Sequence, residues 1–512
     1  MQLTLPKYLI LLLAIFILSC QPEKEPAKPN IIYIMADDLG YGDLGVYGQK
    51  IIQTPNIDAL AESGMLFTQH YSGSPVCAPS RYMLMTGMHP GHAHIRGNDE
   101  WAERGDVWNY AAAIEDPNLE GQRPIPDSVI TVGEVLQGVG YKTAIVGKWG
   151  LGAPNTEGIP NLQGFDMFYG YNCQRQAHNL YPKHLWYNTE KDWLNNEIVA
   201  PRTGLEEGAD PYDSASYVKF VQPDYAPARM QSQALSFIEK NAEAPFFLYY
   251  ATPIPHLPLQ VPYEYVQKYV DLLGDEEPYP GGKGYFPHRY PRAAYAGMIT
   301  YLDDQVGEIV AKLKELDLYD NTLIIFTSDN GPTYDVGGVD APFFNSAGPF
   351  EEGYGWTKGF THEGGIRVPM IASWPGRIEA SSSSDHISAF WDVLPTLAEV
   401  GGASGPVNID GISYLPSLMS NDDQQQHEFL YWEFPAYKGQ QAVRMGNWKG
   451  IRKNIFDGNM EIELYNLATD LAEQNNIADS NPAIVATIKT IMKEQHTPAT
   501  IERFKIKELG DE

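Results

Sequence analysis

Asn30-Ile31-Ile32-Tyr33-Ile34-Met35-Ala36-Asp37-Asp38 is the stretch from which the fold of this chain is read. Its apolar part shows no polar alternation and is rich in β-branched residues, the pattern of a strand buried on both faces, as in a parallel sheet. Two carboxylates follow at once. In open α/β sheets ligands gather beyond the carboxyl ends of the strands, so adjacent aspartates there are candidate ligands for a hard cation. Alone, such a pair reads first as a solvated turn or a helix cap. A second stretch of the same form changes the balance: Leu323-Ile324-Ile325-Phe326-Thr327-Ser328 ends in Asp329-Asn330-Gly331. It adds two oxygen ligands at the same edge of the sheet, and three carboxylates with one amide suit calcium.

The 512 residues around these strands are 43% hydrophobic and 12% aromatic, ample for one large or two modest folded domains. Lys+Arg number 36 and Asp+Glu 65, so the net charge is 36 − 65 = −29. That field argues against nucleic acid as a partner, and any anionic partner needs a local basic pocket. The 47 glycines and 38 prolines imply many turns and a site built on loops. Helical patterns at 56–63, 229–241, 292–316 and 391–400 alternate with strands, including 143–146 and 246–250. The expected fold class is therefore α/β, a mostly parallel central sheet covered by helices on both faces. After Gly401-Gly402 the pattern changes to short strands at 428–434, 441–445, 448–452 and 462–465, then a helix at 482–495. This predicts a main domain over 30–400 and a C-terminal subdomain over 401–512, a small antiparallel sheet with one packed helix. The serine run 381–384 is expected to be a surface loop.

Three cysteines cannot make a disulfide framework. Cys20 closes an N-terminal segment in which Lys7 precedes an apolar run over 8–18, about half of the ~20 residues that a spanning helix needs. Residues 1–19 read as an export signal. Ile17-Leu18-Ser19-Cys20 resembles a bacterial lipoprotein box, which implies a lipidated Cys20, a tether over 20–29, and a periplasmic or outer-membrane-anchored protein touching membrane only through its lipid. The alternative is ordinary cleavage near Ser19.

Cys77-Ala78-Pro79-Ser80-Arg81, followed by Thr86-Gly87, forms a C-x-P-S-R motif. With it the chain resembles the type I sulfatases of the alkaline phosphatase superfamily. Their other motifs also match: Gly147-Lys148-Trp149, Pro255-His256-Leu257-Pro258, and Lys358 ahead of Glu363-Gly364-Gly365. The resemblance runs from Asn30 to about Ala478 and implies an alkaline phosphatase-like fold that hydrolyses sulfate esters. It implies that a maturing enzyme oxidises Cys77 to formylglycine, whose hydrate attacks sulfur. It also implies that Asp37, Asp38, Asp329, Asn330 and residue 77 hold calcium, with Arg81, Lys148, His256 and Lys358 as catalytic residues. The cations offset the ester's charge, and His256 protonates the departing alcohol. Cys173 has no such context and is expected simply to pack.

Two departures from the family pattern stand out. The family continues G-K-W-H-L-G, and here Gly150 replaces the histidine that contacts the hydrate and takes its proton. His178, His184 and His362 are the candidate replacements, His178 first. The loop over 349–356 is longer than usual and carries Tyr354, Trp356, Glu351 and Glu352, a composition suited to sugar. The segment 175–186, with Arg175, His178 and Trp186, has the same character. Arg96 and Asn98 follow the motif closely enough to face the pocket. The expected substrate is thus a sulfated saccharide. A phosphonate or phosphodiester hydrolase using formylglycine, and a non-catalytic lipoprotein that binds sulfated glycans, are the competing readings.

Overall fold

The computed structural model describes residues 28–512 apart from Lys283, so the export signal and Cys20 lie outside the described residues. The larger sheet contains β1 (Asn30–Ala36), β2 (Met65–Tyr71), β3 (Lys142–Lys148), β4 (Met167–Tyr171), β5 (His184–Tyr187), β6 (Glu190–Trp193), β7 (Phe246–Ala251), β8 (Thr322–Ser328), β9 (Arg367–Ser373), β10 (Ser382–Ser384) and β11 (Ser388–Ala389). They lie in the order β10-β2-β9-β8-β1-β7-β3-β4-β5-β6, with β11 also on β2. The centre, from β8 through β1, β7 and β3 to β4, is parallel. β9 runs antiparallel to both β8 and β2.

β1 is buried along its whole length, which explains its unbroken apolar run. Ile32 and Ile34 pack on one face with Ala294, Met298 and Leu302 of a long helix. Ile31, Tyr33 and Met35 pack on the other with Met83, Leu394 and Leu397. At about 1.5–3 kcal/mol for each large apolar side chain removed from water, such two-sided burial fixes β1 as the centre of the sheet. The covering helices include α1 (Pro55–Glu62), α2 (Cys77–Thr86), α3 (Val132–Gly138), α4 (Ala226–Lys240), α5 (Tyr263–Leu273), α6 (Pro291–Glu315) and α7 (Val393–Gly401). The limits of α1, α4, α6 and α7 lie within a few residues of the periodic patterns, except that Phe390–Asp392 forms a separate 3-10 turn before α7.

The second sheet is antiparallel in the order β12 (Leu430–Phe434), β13 (Gln440–Met445), β14 (Trp448–Lys453), β15 (Glu463–Asn466). Tyr431, Val443 and Leu464 pack on Ile488 and Met492 of α8 (Pro482–Gln495). The alternate residues Leu430, Trp432, Ala442 and Ile451 join the core of the main sheet. The period of two thus lets the small sheet bury both faces. Polar ties add to this: Trp432 Nε1 donates to Ser72 O at 3.0 Å, and buried Lys449 pairs with Glu363 at 2.8 Å.

One local expectation fails. Ser382–Ser384 is not a free loop but an edge strand paired in parallel with Met65–Phe67. Backbone hydrogen bonds hold it there, and a serine run offers no apolar periodicity from which to read them.

The register sets up the site. Ala36 pairs with Ser328, and Gly147 with Ala251. The residues that follow β1 and β8, and the end of β3, therefore meet at one edge of the sheet.

Candidate active site

Asp37 and Asp38 leave β1 beside Asp329, which leaves β8; all three are buried. Asp38 has φ of +65°, which ends the strand's alternation of side-chain direction, and its N–H donates to Asp329 Oδ1 at 3.1 Å. Asn330 Nδ2 donates to Asp38 Oδ1 at 2.8 Å, while Asn330 Oδ1 is buried without a hydrogen-bond partner.

Cys77 opens α2, whose ten residues are all buried. Its Sγ lies 3.4 Å from Asp37 Oδ1 and 4.0 Å from Asp38 Oδ1. The helix start is tied down from two sides. Ala78 N donates to Asn98 Oδ1 at 3.1 Å, and Ser80 Oγ donates to the Asp329 carbonyl at 2.6 Å. One turn on, Arg81 is 1% exposed. It donates to Asp329 Oδ2 at 2.8 Å and Asp37 Oδ2 at 3.2 Å, and to the carbonyl of Lys148.

Two lysines complete the charge balance. Lys148 Nζ, at the end of β3, pairs with Asp37 Oδ2 at 2.6 Å. Lys358 Nζ lies 2.6 Å from Asp38 Oδ1 and 3.6 Å from Cys77 Sγ. Two buried cations, Arg81 and Lys148, and the half-buried Lys358 thus face three buried carboxylates, inside a chain whose net charge is −29. Burial raises the Asp37 carboxyl, but Lys148, then His256 and Arg81, outweigh it and hold the group far below the usual carboxylate range. Asp329 goes the other way, pushed up to about 6 by burial and then by Asp37. Burial, then Asp329 and Asp37, also push the Cys77 thiol well up. The oxygen-rich donor set, with Asn330 Oδ1 unspent, fits a hard cation. Ligand atoms of Asp37, Asp38, Cys77 and His256 all lie within 4.8 Å of one another.

Above this cluster a cavity of about 360 Å³ is lined by Cys77, Asn98, His178, His256 and Lys358. His256 Nδ1 lies 2.5 Å from the Leu257 carbonyl, which makes Nδ1 the donor. His256 Nε2 is therefore the nitrogen left open, 3.7 Å from Asp38 Oδ2. His178 stacks on His256 with ring centroids 5.2 Å apart and planes at 20°. Burial pulls both imidazoles well below their ordinary value, and the nearby positive groups add to it.

Four of the residues expected at the pocket are placed elsewhere. Arg96 donates to Glu433, Thr497 and two loop carbonyls and borders a separate cleft of about 690 Å³. Arg175 is 4% exposed, with its guanidinium 5.8 Å from the ring of Trp108. Trp356 packs on His362 with centroids 4.4 Å apart. Trp186 is buried, its Nε1 donating to Glu120 at 2.7 Å. Arg96, Trp186 and Trp356 spend their polar or aromatic surface on internal partners, whereas Arg175 reaches only the Leu119 carbonyl, at 3.5 Å from Nη2, and its Nε and Nη1 are buried without a hydrogen-bond partner. Of the three histidines considered for the role lost at Gly150, His178 lines the cavity. His184 binds Glu120 at 3.0 Å, and His362 lies behind Trp356. Cys173 does more than pack, since its thiol donates to Glu100 at 2.9 Å.

Sequence reading missed Gln174, Tyr285, Tyr437 and Arg503, which also line the cavity. Tyr437 carries the aromatic loop outward, with Tyr354 6.3 Å from it and 67% exposed. Arg503 is held by Asp99 at 3.2 Å. No motif marks any of the four, although Gln174 directly precedes the segment singled out for its sugar-binding character.

The sequence profile named Sulfatase matches residues 29–403. The chain belongs to the sulfatase family. A second profile, N-sulphoglucosamine sulphohydrolase, C-terminal, matches residues 351–499 of this sulfatase. The chain is 32% identical to N-acetylgalactosamine-6-sulfatase of Homo sapiens over 446 residues, 85% of this chain and 74% of the human one. It is also 32% identical to arylsulfatase A of Homo sapiens over 459 residues, 87% of this chain and 77% of that one. Among solved structures, Ps i-CgsB superposes with a TM-score of 0.71 at 29% identity, covering 91% of this chain and 92% of its own; it is also described in complex with k-i-k-neocarrahexaose. The sulfatase is an enzyme, a sulfuric ester hydrolase with the mixed α/β fold of its family.

Proposed function

We propose that this sulfatase removes sulfate from a sulfated carbohydrate, using formylglycine made from Cys77 by a maturing enzyme and calcium held by Asp37, Asp38, Asp329, Asn330 and residue 77. The observation that carries this reading is the position of Cys77 at the buried start of α2, within 3.4–4.0 Å of two carboxylates and 3.6 Å from Lys358. A plain buried thiol with a raised pKa is a poor nucleophile. Formylglycine would supply an oxygen nucleophile there through its hydrate, and calcium the largest positive charge.

The chain's own residues do the rest. Arg81, already fixed by Asp329 and Asp37, holds the floor of the site rigid. Lys148 and Lys358 offset the charge of the bound ester, each charge-assisted hydrogen bond contributing about 1.5–3 kcal/mol. His256 presents Nε2 to the cavity and donates a proton from it to the departing sugar oxygen. An anionic ester nearby raises the imidazole pKa toward the range where that donation works, and a positioned acid of this kind contributes about 10²–10⁴-fold. His178 is the base that takes up the proton released when sulfate leaves, in place of the side chain absent at Gly150. Tyr354 and Tyr437 offer rings to sugar faces at the mouth. The carbohydrate reading is supported by the sugar-directed names among the relatives.

The protein is further read as exported and, through Cys20, lipid-anchored. Among the described residues no helix is long and apolar enough to cross a membrane.

The test is sulfate release from a panel of defined sulfated mono- and oligosaccharides, with peptide mass analysis of residue 77. The parent, made with a maturing enzyme, carries formylglycine and releases sulfate, and Cys77→Ala folds but does not turn over. Sulfate release by the alanine variant at a substantial rate would sink the mechanism. Faster cleavage of phosphodiesters than of sulfate esters would favour the phosphodiesterase alternative, and an unmodified Cys77 after maturation the binding-protein alternative.

A further inference from the structure

Gln174 is 4% exposed, yet neither its Oε1 nor its Nε2 has a hydrogen-bond partner. It lines the same cavity as Cys77, His178, His256 and Lys358. Buried polar atoms in folded proteins are nearly always paired, and a carboxamide with both ends free at the wall of a reactive pocket is poised for a ligand.

The surrounding structure holds it there. The Gln174 N–H donates to Gln122 Oε1 at 3.2 Å, and Gln122 Nε2 reaches Glu100 Oε1 at 3.4 Å. The other oxygen of Glu100 accepts from the Cys173 thiol at 2.9 Å. These contacts fix the backbone and leave the carboxamide itself unengaged. Gly150 makes the room. It has φ of +82°, and a Cβ there would lie 2.2 Å from Gln174 Nε2 and 3.0 Å from Gln122 Oε1. Any side chain at position 150 would stand where the carboxamide now sits.

We propose that Gln174 is a substrate-binding residue: its Nε2–H donates to a non-bridging oxygen of the sulfate group, and its Oε1 accepts from a hydroxyl in the pocket. An amide moves no proton at neutral pH, so Gln174 orients and holds the anion, and His178 keeps the proton-transfer role. Glycine at 150 and glutamine at 174 are then one device, since the first admits the second. This assignment rests on the reading of the cavity as the sulfate site.

The test titrates inorganic sulfate into the matured, calcium-loaded protein by calorimetry, which reads binding without turnover. Gln174→Leu is expected to weaken sulfate binding at least tenfold. Gln174→Glu, which places a carboxylate against an anion, is expected to weaken it about a hundredfold. Because the carboxamide has no internal partner to lose, the thermal midpoint of Gln174→Leu stays at or above that of the parent. Gly150→Ala, which displaces the carboxamide without altering residue 174, weakens sulfate binding as Gln174→Leu does. Binding by Gln174→Leu and Gln174→Glu within twofold of the parent overturns the assignment. A parent that binds no sulfate, while still releasing it from esters, overturns the reading of the cavity as the sulfate site and this assignment with it.

Discussion

Replacing Arg96 by methionine separates a structural strut from a substrate contact. The guanidinium makes five hydrogen bonds: to Ala93 O at 2.9 Å, Glu433 Oε1 at 2.8 Å, Thr497 O at 2.8 Å, Gly91 O at 2.9 Å and Thr497 Oγ1 at 3.0 Å. Its side chain is 3% exposed and that of Glu433 0%. Methionine keeps most of the stem volume and removes the charge. Breaking a buried ion pair from one side costs about 3–5 kcal/mol. The lower end applies, because Glu433 keeps Tyr431 Oη at 2.6 Å and His496 Nδ1 at 2.8 Å. The freed carbonyls add about 1 kcal/mol where water cannot replace the donor, which brings the expected loss to about 4 kcal/mol. Against a typical stability of about 5–15 kcal/mol, the variant still folds. Equilibrium urea unfolding, followed by tryptophan fluorescence and circular dichroism, should give a lower midpoint at unchanged slope. At temperatures where it is folded, kcat and KM on an aryl sulfate stay within twofold of the parent. Unchanged stability with KM raised tenfold or more would refute the reasoning and return Arg96 to the pocket.

Two other outcomes are expected. Asp329→Asn removes one buried carboxylate from the cation cluster and weakens the partner set of Arg81, so calcium retained after dialysis, measured by atomic spectrometry, should fall from about one per chain toward zero, with turnover lost; full activity after exhaustive chelation would contradict this. His496 sits between Glu433 at 2.8 Å and Asp511 at 2.9 Å, beside the Arg96–Glu433 pair and the Tyr431 hydroxyl. Burial lowers its pKa, but hydrogen bonding to Glu433 and the two carboxylate charges win, so the net shift is upward. A raised folded-state pKa gives stability that is complete below the unfolded value of ~6.5 and is lost as pH rises through the folded value. His496→Gln should therefore lower Tm more near pH ~5.5 than near pH ~9, and an equal loss at both would show that the imidazole is not charged in the fold.

Much of this site was legible in the sequence because its chemistry sits where chain direction is simplest to read. Buried parallel strands announce themselves as unbroken apolar runs, and the residues after them share an edge of the sheet. Asp37, Asp38, Asp329, Asn330 and Lys148 meet through that rule alone. Cys77 and Arg81 are one helical turn apart, so their common direction is local too. The alternation in 428–465 likewise carried the second sheet, although not the fact that its two faces serve different cores.

The tertiary structure decided which way the loop residues face. Arg96, Trp186 and Trp356 have the composition of a sugar site, but each found an internal partner, in the case of Arg96 one 337 positions away at Glu433. Gln174 and Arg503 carry no motif, and they reach the cavity only because Gly150 clears space for one and the C-terminal tail folds back with the other. Strand patterns follow from the periodicity of one segment against water. The direction of a loop side chain follows from competition among partners far apart in sequence, and that competition is settled only when the layers pack.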